Sequence, residues 1–550
     1  MQNLDAKFHS VVNLSRRYDF GRWLAVMAAT WAIWPASKTL GADTPGTVTS
    51  DPVLNLMLEK GMITESEAAK VQAQVDAGRT NPAAQFPESK WKISTGLKGV
   101  ELFGDLRLRY EGRSAKDPNG GSIDLNRARY AARVGLRGEL FDDYYYGFRL
   151  ETSANPRSSW VTMGGTSGTS GTGQYYGPFG KSSAGINIGQ IYLGWQPESW
   201  FDITVGRMPN PLYTSTMVWN SSINPEGAAE HFKYTAGEAD FFANFGEFLY
   251  QDTSPAGNSS GYFNFSHTDG SNGDLPFLLA LQGGVNYHLT KKVSFKLAPV
   301  LYEYTLFNNG HLPSDSNAGS GPGYAGTYVG QGATTGLLNN PAAYNLAGST
   351  AGFDGFYANQ TGINNLLVLE VPFELNVKLE KVDLRLFGDY AQNLEGADRA
   401  KAAYNAANQD YFSPAGSAPL LSKISSAQTS DTKAYQFGLA VGSKDALGLV
   451  NGTTAKKHSW EVRTYWQHVE QYSLDPNLLD TDFFEGVENL QGIYAAAAYG
   501  FTDNFIGTVR YGHASRINNK LGTGGSGQDI PQMNPINDFD LFQIDLTFKF

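Results

Sequence analysis

Residues 100–111 read VELFGDLRLRYE and alternate between two kinds of side chain. Even positions, from Val100 to Tyr110, carry apolar residues or glycine, whereas the charged residues occupy only odd positions. Successive side chains of a β-strand point to opposite faces of the sheet, so this period of two predicts a strand with one apolar and one charged face. Residues 127–140 repeat the pattern, with four arginines on the charged face.

The same alternation continues to the end of the chain and predicts about sixteen strands. Most have the roughly ten residues that a tilted strand needs to cross a bilayer. They are predicted at 100–111, 127–140, 144–153, 186–196, 201–208, 228–235, 240–248, 277–288, 293–304, 366–378, 382–392, 433–442, 459–469, 490–500, 505–513 and 539–550.

The connections between these strands alternate in length. Short turns at 141–143, 197–200, 290–292, 380–381 and 502–504 are interleaved with long loops at 154–185, 209–226, 249–276, 305–365, 393–432, 470–489 and 514–538. Residues 443–458 are the exception, because they form a long connection where a short turn is due. Short turns on one rim and long loops on the other indicate an all-β fold, an up-and-down antiparallel transmembrane β-barrel.

The composition of the 550-residue chain excludes several other classes. It contains 62 glycines, 10 Trp, 29 Tyr and 32 Phe, which disfavours disorder. A net charge of −11 gives no general attraction to phosphate, so we expect no nucleic-acid partner. The absence of cysteine excludes disulfides, thiolate metal sites and cysteine nucleophiles.

The N-terminal region differs from the alternating part. Residues 1–42 are predicted to be a signal peptide, in which basic residues precede the apolar run 23–34, a run too short to span a bilayer as a helix. Arg16 and Arg17 leave a twin-arginine signal as an alternative. Residues 43–90 are predicted to be a periplasmic helical hairpin, centred on 51–77, with a polar linker, and residues 91–550 to be the barrel. Since no later apolar run reaches 18 residues, helical membrane spans are not expected.

Aromatic residues and the C-terminus support a membrane location. Aromatic side chains cluster beside the short turns, for example Tyr144, Trp195 and Trp200, as in the headgroup-level girdles of barrels. The alternative is hairpin-corner packing in a soluble β protein. The last residues, FDLFQIDLTFKF, end on an apolar ring, although chain ends are usually solvated. We predict that Phe550, Phe548 and Leu546 form a signal for the barrel insertion machinery.

Residues 95–550 resemble the putative porin family of Gram-negative bacteria. The resemblance lies in the order of several short motifs: 102–107 (LFGDLR), Gly206-Arg207 before Pro209 and Pro211, 225–227 (PEG), 460–470, 480–483 (DTDF) and the closing strand. It implies an outer-membrane pore for small hydrophilic solutes, embedded in outer-membrane lipid and assembled as a homotrimer.

A barrel of sixteen strands can enclose an aqueous channel, so its inward face is expected to be polar. The predicted pore-lining residues are Arg107, Arg109, Arg127, Arg129, Arg133, Arg137, Arg149, Glu101, Asp105, Glu139 and Glu151. Facing rows of arginine and acid would set a transverse field across the channel. Because distant charges are screened, this arginine stripe predicts a mild preference for anions despite the net negative charge. Loop 209–226 contains one acid, Glu226, which does not support an acidic eyelet.

Two other functions remain as alternatives. An adhesin or surface receptor would use the long loops 305–365 and 393–432. Asp475, Asp480, Asp482 and Glu485 are either calcium ligands or, as the simpler interpretation, solvated turn residues. The Gly321–Gly326 match to a nucleotide-binding pattern lies in a Gly/Ser/Pro-rich loop, and no catalytic constellation is present. We therefore expect no enzymatic activity, metal or cofactor.

Overall fold

The computed structural model describes Lys60 and residues 97–550, except for 119, 141–142, 154–157, 165–184, 251–275, 307–309, 312–364, 402–428, 454–455, 524–528 and 531–534. The predicted signal peptide, the helical hairpin apart from Lys60, most of the long loops of the adhesin alternative and the glycine pattern at 321–326 lie outside the described residues. Lys98–Phe550 forms one compact unit.

The described residues of this unit form one antiparallel sheet that closes on itself. Its strands are β1 (Leu97–Lys116), β2 (Ser122–Leu140), β3 (Tyr144–Ser153), β4 (Val161–Thr162), β5 (Gly185–Glu198), β6 (Phe201–Arg207), β7 (Glu226–Ala236), β8 (Ala239–Leu249), β9 (Pro276–Thr290), β10 (Val293–Leu297), β11 (Val300–Leu306), β12 (Gly310–His311), β13 (Leu367–Lys378), β14 (Val382–Asn393), β15 (Lys433–Ser443), β16 (Trp460–Val469), β17 (Leu490–Gly500), β18 (Phe505–Arg516) and β19 (Asp538–Lys549).

The wall of the barrel has sixteen strand positions. β10 and β11 share one position, since both pair with β9 and with β13 on either side of Pro299, a residue that cannot donate a ladder hydrogen bond. β4 and β12 are two-residue pieces of long connections. β1 closes the ring by pairing with β19, from Asp105 opposite Lys549 to Lys116 opposite Asp538. The predicted closed barrel of about sixteen strands is confirmed.

The closure continues to the last residue. The Gly104 amide donates to the Phe550 carbonyl oxygen at 2.9 Å, and the Phe550 amide donates back to Gly104 at 3.1 Å. A Cβ atom at Gly104 would lie 2.2 Å from the Arg133 carbonyl oxygen and 2.8 Å from the Phe550 ring. Glycine is therefore required for β1, β2 and the C-terminal ring to meet.

The two faces of the wall follow the alternation of the sequence. Leu102 and Leu106 on the outer face are 58% and 50% exposed, whereas Asp105 and Arg109 on the inner face are buried. Large apolar side chains are also exposed on many other strands of the wall, among them Ile191, Phe437 and Ile493. An apolar exterior over a polar interior is the arrangement that a bilayer requires of a barrel. Within the described part of the chain, no helix has the length and apolarity needed to cross a membrane.

Aromatic side chains surround the rim that carries the short turns. Tyr144, Trp195, Trp200, Tyr287 and Tyr499 are each at least 39% exposed. The Tyr144 and Trp195 rings stack with their centroids 6.3 Å apart. This outward belt matches the position expected of an interfacial girdle and leaves little support for corner packing in a soluble protein.

Three connections fold into the barrel. We call them the inner loop (208–225, between β6 and β7), the crossing loop (470–489, between β16 and β17) and the rim segment (444–453, after β15). Their apolar residues, including Met217, Trp219, Leu449, Leu474 and Phe483, join one buried cluster with side chains of the wall. The sequence predicts a water-filled interior, but these connections pack a hydrophobic core inside part of it.

Candidate functional site

The arginines predicted to line the pore lie on β1, β2 and β3 and make ion pairs. Arg133 Nη2 lies 2.6 Å from Asp105 Oδ2, and Arg107 Nε lies 2.7 Å from Asp105 Oδ1. Arg127 and Arg129 both contact Glu111, the latter at 3.2 Å. The contacts of Arg127, Arg129 and Arg133 join β2 to β1, whereas the Arg107–Asp105 pair lies within β1.

Of the remaining predicted residues, Arg137, Glu101 and Glu139 lie near the short-turn rim, whereas Glu151 lies opposite Arg133. Arg137 Nε lies 2.7 Å from Glu101 Oε2, and both side chains are about half exposed. Arg149 Nη2 lies 3.0 Å from Glu151 Oε2. Glu139 is exposed and faces Tyr145 across the β2–β3 pair.

Ion pairing leaves little net charge on the arginine stripe. The eight arginines of β1–β3 contact eight acids: Glu101, Asp105, Glu111, Glu151, Asp482, Glu485, Asp529 and Asp545. Sequence reasoning expects arginines and acids on facing walls. Here they are adjacent, because β1 pairs with β19 and its arginines contact the end of the crossing loop. The structure therefore gives no support for a strong transverse field between these groups.

A cavity of about 290 Å³ lies beside this wall. Five arginines and four aspartates line it, namely Arg107, Arg109, Arg129, Arg463 and Arg510 with Asp480, Asp482, Asp529 and Asp545. The inner loop contributes only uncharged groups to the lining: Thr216, Asn220, Ser221 and Ser222. The rim segment contributes residues 450–453. The crossing loop contributes residues 480–482, so the cavity is bounded by three inward segments and a charged wall.

The inner loop is anchored to the wall on the side of β9, β13 and β14. Thr214 Oγ1 donates to Glu370 Oε1 at 2.6 Å, and Ser215 Oγ donates to Asp389 Oδ2 at 2.5 Å. Gln282 accepts from the Tyr213 amide at 2.9 Å and donates to its carbonyl oxygen at 2.8 Å. These wall residues are buried, so the loop position is fixed by hydrogen bonds shielded from water.

The crossing loop spans the interior and is anchored at both ends of its path. Asp475 Oδ2 accepts from the hydroxyl groups of Tyr250 and Tyr304, each at 2.8 Å. Asp482 accepts from Arg109 Nη1 at 3.0 Å and from Arg113 Nη2 at 3.1 Å. The two loops also meet directly, since the Asn220 amide donates to the Leu478 carbonyl oxygen at 2.6 Å.

Burial and neighbouring charges separate the acids of the crossing loop. Burial raises the pKa of Glu485 to about 8, although Arg113 Nη1 lies 3.0 Å from its Oε1. Burial and the nearby Asp482 raise the pKa of Asp480 to about 6. Arg109 and Arg113 instead overcome burial at Asp482 and hold its pKa well below the ordinary value. One loop therefore combines a firmly ionised carboxylate with two carboxyl groups that readily hold a proton.

The interpretation of Asp475, Asp480, Asp482 and Glu485 as solvated turn residues is wrong for Asp475 and Glu485, whereas Asp480 and Asp482 are partly exposed. Asp475 and Glu485 are buried, and Asp475 and Asp482 are held by the tyrosines and arginines already named. Nor do these four form a metal site, because the described residues contain no group of three His, Asp or Glu side chains placed to hold an ion.

The predicted insertion-signal residues lie at the end of β19. Phe548 and Phe550 are both exposed, with ring centroids 6.3 Å apart, and Leu546 is partly buried. Their role in insertion stays a prediction.

Sequence reasoning missed the groups that place the inward loops. Glu370, Gln282 and Asp389 are not among the residues predicted from the sequence. Their alternating positions along the strands indicate that they face inward, but nothing in the pattern shows that a loop contacts them. The rim segment did leave a signal, since its length breaks the alternation of short and long connections.

A closed wall with an apolar exterior, a charged interior and a residual cavity defines a transmembrane β-barrel channel. A family model described as Putative porin matches residues 118–550. No curated protein matches the chain.

Several solved barrels resemble this one at very low identity. An anion-selective porin from Comamonas acidovorans shares 8% identity, with a TM-score of 0.38 over 82% of this chain and 99% of its own. OmpF of Salmonella typhi, in complex with daunomycin, shares 10%, with a TM-score of 0.40 over 83% and 98%. OmpT, an outer membrane protein of Vibrio cholerae, shares 10%, with a TM-score of 0.37 over 84% and 100%.

The family match covers most of the chain. The protein belongs to the Putative porin family and is a porin of the Gram-negative outer membrane.

Proposed function

We propose that the cavity is the narrow part of a water-filled channel for passive diffusion of small hydrophilic solutes, with a mild preference for anions. The observation that carries the proposal is the lining of the cavity. Five arginines face four aspartates there, and the inner loop adds no charge of either sign. Guanidinium groups stay charged at any physiological pH, whereas Asp480 holds its proton more readily than an ordinary aspartate.

The eleven residues predicted from the sequence are proposed to contribute at different depths. Arg107, Arg109 and Arg129 line the cavity itself. Arg137, Glu101 and Glu139 are exposed near the short-turn rim and would act on solutes at the mouth of the channel. Because nearly all of these arginines are paired with carboxylates, the preference for anions is expected to be weak.

Permeability tests the proposal directly. Purified protein reconstituted into liposomes is expected to admit small sugars and amino acids at rates that fall with solute size. Planar bilayers are expected to show stepwise ion currents. A folded barrel that leaves liposomes impermeable and bilayers silent would exclude a diffusion channel.

Ion selectivity tests the role of the cavity. Arg107→Gln removes one positive charge from the lining while Arg133 continues to hold Asp105. We expect its reversal potential in a potassium chloride gradient to shift toward that of a cation-preferring pore. Arg137→Gln is the matched control, because the same change is made at an exposed rim position where salt screens the charge. Equal shifts in both variants would contradict a selective cavity.

The assembly and insertion proposals are separate from permeation. The trimer that the family resemblance implies is tested by mass measurement in mild detergent, where a monomeric mass contradicts it. Removal of Phe550 is expected to lower the rate of membrane insertion by the cellular machinery, and an unchanged rate would exclude a signal at this residue.

A further inference from the structure

The rim segment belongs to a connection that is much longer than the others on the short-turn rim. The other connections on this rim, such as Gly237-Glu238 and Lys291-Lys292, have two to four residues. Between β15 and β16, residues 444–459 replace such a turn. The flanking strands do not require this length, since Gly442 faces Glu461 in the β15–β16 register. Ser443 and Trp460 are therefore placed for a two-residue hairpin.

The rim segment folds back into the barrel and is held there by buried acceptors. The amides of Gly448 and Val450 both donate to Glu461 Oε2 at 2.9 Å, and Glu461 is fully buried. The Asp445 amide donates to Asp383 Oδ2 at 2.7 Å. Leu449 is also fully buried in the interior cluster. The segment is thus a packed part of the interior rather than a loose extension of the rim.

Three cations of the wall bind oxygen atoms of this segment. Arg463 Nη1 donates to Asn451 Oδ1 at 3.1 Å, and Arg510 Nη2 donates to the Val450 carbonyl oxygen at 3.0 Å. The Lys549 ammonium donates to the Gly452 carbonyl oxygen. Carbonyl and amide oxygens carry partial negative charge, so they engage donors that would otherwise be available to a passing anion.

The rim segment and the inner loop bound the same cavity. Residues 450–453 lie in its lining beside Arg463 and Arg510, and residues 216 and 220–222 represent the inner loop there. The inner loop leaves the wall on the rim with the long loops, whereas the rim segment leaves it on the rim with the short turns. A solute that passes through the cavity therefore meets two inward segments from opposite rims.

We propose that the rim segment is a second constriction of the channel, which limits solute size from the short-turn side and weakens the anion preference by occupying Arg463, Arg510 and Lys549. This inference rests on the proposed diffusion function. It assigns a specificity role to a connection of the rim where a porin of this design needs only a tight turn.

Replacement of residues 444–459 by Asn-Gly, the preferred sequence of a two-residue hairpin, tests the proposal. We expect single-channel conductance to rise roughly two-fold, because the segment no longer occupies the water column. Larger neutral sugars are expected to enter liposomes faster. The reversal potential in a salt gradient is expected to shift toward the anion limit, because the three cations lose the oxygen partners that the segment supplies, while Arg463 and Arg510 keep their ion pairs with Glu461 and Asp545.

A second variant keeps the chain length. Glu461→Gln weakens the acceptor that holds Gly448 and Val450, and we expect the same changes in conductance and selectivity with smaller size. Replacement of Gly237-Glu238 by Asn-Gly is the matched control, since it alters a short turn on the same rim outside the cavity lining. Its conductance and reversal potential are expected to match those of the wild type.

The outcomes separate this inference from the diffusion function. If the wild-type protein does not conduct ions, the diffusion function is excluded. A conducting wild type whose shortened variant keeps the same conductance, sugar cut-off and reversal potential overturns the second constriction. If the shortened variant does not insert into the membrane, the Glu461→Gln variant provides the test. Unchanged currents in that variant overturn the proposal.

Discussion

On one side of the barrel, Arg109 and Arg113 of β1 hold the crossing loop through ion pairs with its acids. On the other side, Glu370 of β13 and Asp389 of β14 hold the inner loop through the hydroxyl groups of Thr214 and Ser215. Both sets of wall residues are buried, so neither attachment is a surface contact. The two attachments differ in whether breaking them leaves an unpaired charge buried inside the barrel.

Removal of one partner of a buried ion pair strands the other charge in a medium that solvates it poorly. Loss of a hydroxyl donor leaves a carboxyl group that has other hydrogen bonds, since Tyr302 also donates to Glu370 at 2.6 Å. The crossing loop is therefore expected to detach in an all-or-none manner, whereas the inner loop is expected to loosen by degrees. Three substitutions and one pH dependence distinguish these two modes of attachment.

Arg113→Met is expected to have the largest effect. Arg113 is fully buried and lies within 3.5 Å of Glu111, Asp482, Glu485 and Asp529. Its loss should lower the free energy of unfolding by about 3–5 kcal/mol, because several buried acids lose their counter-ion. The measurement is the urea midpoint in detergent micelles. The control Arg137→Met breaks a half-exposed pair and should cost at most about 1 kcal/mol. Similar shifts in both variants would show that burial does not decide the cost.

Asp482→Asn is expected to cost about 2 kcal/mol, as is typical for loss of hydrogen bonds to a charged acceptor. The substitution weakens the contacts of both Arg109 and Arg113 with the crossing loop. Single-channel records are expected to show brief transitions to higher conductance as the loop leaves the interior. Asp398→Asn is the control, because Asp398 forms an exposed pair with Lys401. Quiet records for both variants would disprove this role of Asp482.

The pH dependence of stability tests Glu485, whose pKa is raised by burial to about 8 from an ordinary 4.5. Between these values the folded protein holds a proton that the unfolded chain has released, so stability falls as pH rises and levels off above about pH 8. Arg113, Glu111 and Asp529 are the charged groups that face it.

The Glu485→Gln variant isolates this effect between pH 6 and 8, since Asp480 titrates near pH 6. We expect the urea midpoint of the wild type to fall across this window and that of the variant to stay nearly constant. The change across this window should be similar in size to the cost of Asp482→Asn, about 2 kcal/mol, because one pKa unit corresponds to about 1.4 kcal/mol. Equal slopes for the two proteins would assign the dependence to other groups.

Ser215→Ala is expected to have the smallest effect, about 1 kcal/mol, the net value of one hydrogen bond. The variant removes the donor to Asp389 but leaves Thr214 bound to Glu370. We expect slightly noisier currents with an unchanged mean conductance. The exposed Ser221→Ala is the control and should change stability by less than about 0.5 kcal/mol. A loss as large as that of Arg113→Met would remove the proposed contrast between the two attachments.

The strands were predictable because the alternation of side chains is a property of local sequence, and because the thickness of the bilayer sets the length of each strand. β17 is predicted at 490–500 and observed as Leu490–Gly500, and β14 is predicted at 382–392 and observed as Val382–Asn393. β1 is longer than predicted, since 100–111 becomes Leu97–Lys116. Its extension pairs with β19 up to Lys116, beyond the part whose apolar face marks it as a membrane strand.

The charged inner face could be predicted only from the odd or even position of each residue along its strand. Arg109 and Arg133 were assigned to the inner face because their neighbours in sequence are apolar. Their partners were not predictable, since Arg109 meets Asp545 and Asp482, which are several hundred residues away in sequence. The anion preference inferred from the arginines alone is accordingly weaker once these acids are included.

Local sequence is enough to predict a closed barrel of about sixteen strands with an apolar exterior, because a two-residue period and a fixed bilayer thickness act on each strand separately. How much of the interior stays open depends on tertiary contacts. Three connections fold inward, and their positions depend on contacts with distant strands, at Glu370, Asp389, Arg113 and Arg510. No local pattern encodes such contacts, because each needs the barrel to be closed before its two partners can meet.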